Sequence, residues 1–341
     1  MWRETTKHER NRKIFDEEFE HFLPKRILDF HVHVFQDGVA PPGVAFSCGG
    51  HPITGYDFEA LELDLAECFP GRETKAVCFG LPDPTYNLAE NNRYIADHCD
   101  NERLFALRLF DPHADTPESV GRDLATGKYF GLKPYPDYTR KPNLNDATIV
   151  DMLPEWVMEI ASRYHSIIML HIPRSARLAD PLNQTQIEDY ATRFPRVNIV
   201  VAHIGRAYFY KNVVGNLKRF VDLPNVFVDL TMLNHADVLE YTFSHFPHDR
   251  ILFGTDIPIA LAPGKSVEIN DQYTYVTPIP WKLSISDDHG KLKFTSFLFE
   301  ELRAIKHAVD RLSLPRSFVE GVFHNYGWAL LQQTRKAMTN T

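Results

Sequence analysis

The chain has 341 residues, of which 44% are hydrophobic and 24% charged, and its net charge is -8. This is ordinary globular composition, and an acidic balance with no basic run argues against a nucleic-acid partner. Cysteines at 48, 68, 78 and 99 form no Cys-x-x-Cys pair, so neither a zinc knuckle nor a disulfide framework is indicated. A reducing cytoplasm is therefore the expected compartment, and with no apolar export signal and no run of membrane-spanning length, no membrane association is expected.

In chain order, short apolar runs alternate with amphipathic stretches of helical length, the pattern of βα units around a parallel sheet. Strands are predicted at Arg26 to Val34, Lys75 to Leu81, Arg103 to Phe110, Tyr129 to Tyr135, Ile167 to Ile172, Asn198 to Gly205, Val226 to Thr231 and Arg250 to Ile257. Between and after them, three- and four-residue apolar spacing predicts helices over Asp57 to Phe69, Leu88 to Cys99, Val150 to Tyr164, Thr185 to Phe194, Tyr210 to Val221, Ala236 to Phe246 and Phe297 to Leu314. Eight strands over some 230 residues fit a closed (β/α)8 barrel better than an open doubly wound sheet. The predicted organisation is an extension over 1–25, one barrel domain over 26–333 and a tail over 334–341. Two segments break the alternation, Val39 to Tyr56 and Ala260 to Thr295, and are expected to be long loops walling the site or mere decoration.

Potential metal-binding side chains recur where these runs stop. Asp29-Phe30-His31-Val32-His33 carries a His-x-His pair, and side chains two apart on a strand share a face. His171, His203 and Asp256 each close a later run, and Lys133 closes the fourth. All fall at C-terminal strand ends, where barrels of this kind place their active sites. Imidazole nitrogen and carboxylate oxygen without thiolate suit Zn²⁺ first, with Mn²⁺ or Fe²⁺ as alternatives. Ligands drawn from distant strands indicate a catalytic centre, since structural zinc sites use short local spacings.

Taken in order, Asp29-Phe30-His31-Val32-His33, Gly131-Leu132-Lys133-Pro134, His171, Ala202-His203-Ile204-Gly205 and Gly254-Thr255-Asp256 resemble the amidohydrolase superfamily. The nearest branch is the amidohydrolase-related one, which includes aminocarboxymuconate-semialdehyde decarboxylase, related aromatic-acid decarboxylases and lactone hydrolases. Phe323-His324-Asn325-Tyr326 resembles its terminal helix. The resemblance implies that His31, His33, His171 and Asp256 bind one divalent metal and that Asp256 and His203 are catalytic, His203 as acid or base. It implies hydrolysis of a lactone, amide or ester bond by a metal-activated water, or alternatively non-oxidative decarboxylation of an unsaturated or aromatic acid; a catalytically silent binding protein is the third reading. It also implies pairing of chains through the outer helices.

In two-metal branches of the superfamily the lysine matching Lys133 is carboxylated and bridges the ions, whereas the branch resembled here implies a substrate contact, with a structural ion pair as the third reading; Tyr135 shares its strand face. Arg206 stands where many relatives have a second glycine, and Arg174 follows His171 by three residues. With Lys133 these arginines are expected to form a cationic rim for a small anionic substrate, although either could instead pair with an acidic neighbour. Asp29, Asp83 and Asp229 are candidates to support a histidine, and Cys48, His51 and Trp281 to line the pocket.

Overall fold

All eight predicted runs become parallel strands in a computed structural model that describes residues 9–281, 284–287 and 289–339. The strands are β1 (Arg26–His33), β2 (Glu73–Phe79), β3 (Leu104–Phe110), β4 (Tyr129–Pro134), β5 (Ile167–Leu170), β6 (Asn198–Val201), β7 (Val226–Asp229) and β8 (Ile251–Leu252), each hydrogen-bonded to the next in chain order. The sheet closes on itself because the segment leaving β8 pairs with β1: Phe30 donates its N–H to the Phe253 carbonyl, Asp256 to that of His31, and His33 to that of Ile257, each at 2.9 Å. The result is a (β/α)8 barrel. Its interior is filled by Phe30, Phe79, Phe105, Met169, Val200 and their neighbours, and Leu330 and Leu331 of the last helix, Tyr326–Met338, join the same cluster. Gly131 in β4 is required by close approach, since a Cβ there would stand 1.8 Å from the Ile167 carbonyl oxygen on β5.

Several boundaries differ from expectation for identifiable reasons. The stretch Val150 to Tyr164 forms two helices, Ile149–Met152 and Glu155–Arg163, divided at Pro154. The stretch Tyr210 to Val221 is helical only at Tyr210–Val213 and Lys218–Phe220, with Gly215 left-handed between them. A helix at Pro117–Ala125, passed over by the periodicity, is signalled by Thr116, whose side chain caps Ser119 in a reciprocal capping box, and by Pro117 at the first position.

The two long segments carry structure of their own. Residues 39–56 contain a hairpin of Phe46–Cys48 with His51–Ile53, and residues 260–295 contain a three-stranded sheet of Lys265–Ile269, Gln272–Thr277 and Ser284–Ser286. Ahead of β1, the segment from Glu9 is helical through Phe19. It docks by burying Phe15 and Phe19, the latter 5.5 Å from the Phe299 ring, and by a 2.8 Å ion pair of Glu18 with Arg303. Among the described residues no helix is long and apolar enough to cross a membrane.

Candidate metal centre

The centre begins with an irregularity in β1. The pairing of β1 with β2 shifts register between Asp29 and Val32, and His31, within the shift, and His33, just after it, both reach the barrel mouth over Phe79, at ring distances of 5.0 and 4.8 Å. Asp29 pins this bend. Its carboxylate, fully buried, accepts hydrogen bonds from the His31 backbone at 3.1 Å and from the Thr255 backbone and hydroxyl at 2.9 and 2.6 Å. It thereby ties β1 to the Gly254-Thr255-Asp256 turn. Burial raises its pKa to about 7, against the pull of those donors.

Each of three imidazoles has its Nδ1 fixed by an acceptor. His31 Nδ1 lies 2.9 Å from Asp229 Oδ2, His33 Nδ1 2.9 Å from the Gly80 carbonyl, and His203 Nδ1 3.0 Å from the Thr231 carbonyl. A carbonyl or carboxylate can only accept, so these nitrogens carry the protons and, in the neutral rings, the Nε2 atoms carry lone pairs. Burial, reinforced by the nearby Lys133 charge, lowers the His31 pKa to about 3 and keeps the ring neutral. Burial likewise depresses His203.

Those lone pairs converge on Asp256. Its Oδ1 is 3.2 Å from His33 Nε2 and 3.6 Å from His31 Nε2, and ligand atoms of His31, His203 and Asp256 all lie within 4.8 Å of one another. Burial opposes the Asp256 charge, but the His33 contact and the surrounding imidazoles hold its carboxyl well below the usual carboxylate range. Lone pairs and a carboxylate facing each other at this spacing make a donor set with no proton to share, which a divalent cation would satisfy.

Of the expected ligands, His31 and His33 lie against Asp256, while His203, assigned to proton transfer by the resemblance, shares the group of converging ligand atoms with His31 and Asp256. His171 lies beside it, its ring 5.1 Å from that of His203 and 4.4 Å from that of Tyr135, and its Nδ1 is buried without a hydrogen-bond partner. Burial, then the nearby Arg206 charge, pushes the His171 pKa well below the ordinary value.

Behind these groups Asp229 accepts from the His203 backbone N–H at 2.6 Å as well as from His31. This capture ends β6 at Val201, short of the predicted Gly205, and turns His203, Ile204, Gly205 and Arg206 through four consecutive left-handed conformations, φ 56°, 49°, 63° and 60°.

The cations are placed unequally. Lys133 is fully buried, its Nζ 3.3 Å from His31 Nε2 and over the rings of Phe79 and Tyr135 at 4.8 and 5.6 Å, and burial brings its pKa down to about 8. Arg206 donates to the Ile172 carbonyl at 3.2 Å and is an electrostatic neighbour of Tyr135, His171, Tyr208 and Tyr275. Arg174 is committed elsewhere, to Asp180 at 2.9 Å and the Asn145 carbonyl at 3.0 Å, because its own acidic neighbour claims it first. The arginine that does face the aromatic mouth is Arg177, which the sequence reading did not single out. Buried Tyr208 and half-buried Tyr275, also missed, join the groups around Asp256, and Trp281 stacks on Tyr275 at 5.4 Å. Cys48 donates to the Pro258 carbonyl at 3.3 Å, while Asp83 accepts from Thr85 in its own turn.

The sequence model of the amidohydrolase family matches residues 83–273, more than half of the chain. No curated protein sequence matches. Similar solved structures include Amidohydrolase 2 from Bifidobacterium longum subsp. infantis, at 12% identity and TM-score 0.55, covering 91% of this chain and 99% of that one. A probable 2-pyrone-4,6-dicarboxylic acid hydrolase from Acinetobacter baumannii, with citric acid bound, is 13% identical with TM-score 0.55, covering 90% and 99%. The 5-carboxyvanillate decarboxylase of Sphingomonas paucimobilis is 13% identical with TM-score 0.55, covering 91% and 99%. At such identities these neighbours share the barrel, and it is the family match, on top of the geometry at the strand ends, that assigns the chain to the enzymes of the amidohydrolase family.

Proposed function

We propose that the chain is a metal-dependent hydrolase of a small carboxylated compound, acting on a lactone, amide or ester bond with one divalent ion, zinc first among the candidates. The observation that carries this reading is the meeting of His31, His203 and Asp256 ligand atoms within 4.8 Å, with every Nδ1 but that of His171 already engaged. His31, His33, His171 and Asp256 would hold the metal. Once bound, it supplies a Lewis acid that polarises the scissile carbonyl and makes water nucleophilic near neutral pH.

The remaining work falls to the chain. Asp256, kept ionised, is the proton acceptor closest to the donor cluster. His203, oriented by Asp229 and Thr231, is the group that stabilises developing negative charge or returns the proton to the leaving group. Lys133 spends one N–H on the His31 lone pair; when that lone pair is engaged by a metal, the ammonium is available for an acidic group of the substrate. Arg206 and Tyr135 flank the same space. The second reading, decarboxylation of an aromatic acid, is favoured by one feature, the buried ring of Tyr208 and the half-buried rings of Tyr135 and Tyr275 near Asp256, which suit a planar substrate.

Elemental analysis of the purified protein should find about one divalent ion per chain. A screen of lactones, amides and aromatic acids that records CO₂ separately then divides the two chemistries, since only a decarboxylase expels the carboxylate carbon. Two ions per chain with a carboxylated Lys133 would overturn the mononuclear reading. His203→Asn should keep its metal while losing about 10²- to 10⁴-fold in rate, the usual contribution of general acid-base assistance. A metal-free variant would make His203 a ligand.

A further inference from the structure

Arg177 is a guanidinium without an anion. Its carbon lies 4.2 Å from the Tyr273 ring centroid and 5.7 Å from that of Tyr208. Its Nε is buried with no hydrogen-bond partner, and no carboxylate lies within ion-pair distance among the described residues. Several other buried or half-buried arginines have an anion or a set of carbonyls: Arg108 pairs with Asp115 and Asp123, Arg303 with Glu18 and Glu300, Arg174 with Asp180, and Arg250 donates to the Phe220 and Val226 carbonyls. A half-buried guanidinium with no anion and a buried, unpartnered Nε is costly, and here Arg206 adds like-charge repulsion; burial and that neighbour both work against the Arg177 charge.

The residue is nonetheless held in place. Its backbone is left-handed at φ 55°, and its carbonyl accepts from the buried Asn183 side chain at 3.0 Å and from the Asp180 backbone at 3.0 Å. Its position relative to the metal centre follows from ring contacts: His203 to Tyr208 is 6.0 Å, Tyr208 to Tyr273 is 4.8 Å, and Arg177 covers Tyr273. Tyr273 comes from the sheet in the long segment after β8, so the insertion and the loop after β5 build this corner together. Lys133, by contrast, sits deep in the barrel between Phe79 and Tyr135.

We propose that Arg177, framed by Tyr208 and Tyr273, is a specificity-determining residue that binds a second anionic group at the far end of the substrate, so that the site prefers a small diacid over the matching monoacid. This rests on the reading above that a first carboxylate is held beside the metal by Lys133 and Arg206.

The test is a titration of the zinc-loaded full chain with benzoate, isophthalate and terephthalate, followed by calorimetry. The wild type should bind one of the two diacids at least about tenfold more tightly than benzoate, the worth of one charge-assisted hydrogen bond. Arg177→Gln should erase that preference with benzoate affinity and melting temperature unchanged, and Arg177→Lys should restore part of it, which a merely structural role would not do. Equal affinities in the wild type, or a preference that survives Arg177→Gln, would overturn the proposal. Lys133→Ala and Arg206→Ala report on the underlying reading separately: benzoate affinity indifferent to both would sink the first-carboxylate assignment whatever Arg177 does. Failure of all three acids to bind would overturn both.

Discussion

Among single residues, Asp229 has the widest reach, because one buried carboxylate accepts from both His31 Nδ1 and the His203 backbone. Burial opposes its charge, yet His31 and His203 bring its pKa down to about 2, so it is ionised at any working pH. Asp229→Asn must turn an amide N–H toward one of these donors and should weaken metal binding about 10- to 100-fold, as loss of a ligand-orienting partner commonly does. Competition with a chelator measures this. An unchanged affinity would mean that His31 is oriented by packing against Phe79 alone.

At the scale of elements, the turn after β6 concentrates the strain in the site. Left-handed backbone costs an L-residue about 1 to 2 kcal/mol, and His203, Ile204 and Arg206 all adopt it. Asp229 and Thr231 offset that cost by holding His203 at its backbone N–H and ring. Gly205 is the one position of the four where the conformation is free, and a Cβ there would also lie 2.9 Å from Leu178 Cδ1. Gly205→Ala should therefore destabilise the fold by about 1 to 2 kcal/mol in urea unfolding. The larger loss should be in activity, because Leu178 belongs to the loop that carries Arg177. A fully active, equally stable variant would show that the turn relaxes without consequence.

For the whole molecule, two further outcomes are expected. Phe19 is fully buried against Phe299 although it precedes the barrel, so Phe19→Ala should cost about 3 to 5 kcal/mol by equilibrium denaturation. A cost near zero would show that the leading segment is not docked in solution. Glu301 is buried behind the centre, its Oε2 accepting from the Met232 backbone at 2.8 Å and its Oε1 unpartnered. Burial raises its pKa well above the usual carboxylate range, with the charges of Asp29, Asp229 and Asp256 adding to the effect. A carboxyl whose folded pKa exceeds its unfolded one favours folding most below the unfolded value, and that advantage declines as pH rises toward the folded pKa. The melting temperature of the wild type should thus fall relative to Glu301→Gln between pH 5 and pH 8. Parallel curves for the two proteins would mean that Glu301 finds a compensating cation when ionised.

The alternation of apolar runs determined the barrel, because strand-length and helix-length periodicities leave few ways to close eight parallel strands, and it placed His31, His33, Lys133, His171, His203 and Asp256 at one end for the same reason. A local motif could also carry the His-x-His pair, since its two residues share one strand. What sequence could not contain was the pairing of charges across distant segments. Whether Arg174 faces substrate depends on Asp180 claiming it, and the setting of Arg177 depends on Tyr208 and on Tyr273, the latter delivered from nearly a hundred residues away. The left-handed turn at His203 likewise exists because Asp229, on the next strand, captures its N–H. Periodicity is a property of neighbours in the chain, and it fixed the elements; hydrogen bonds and ion pairs between segments far apart are settled only when the closed barrel brings them within reach.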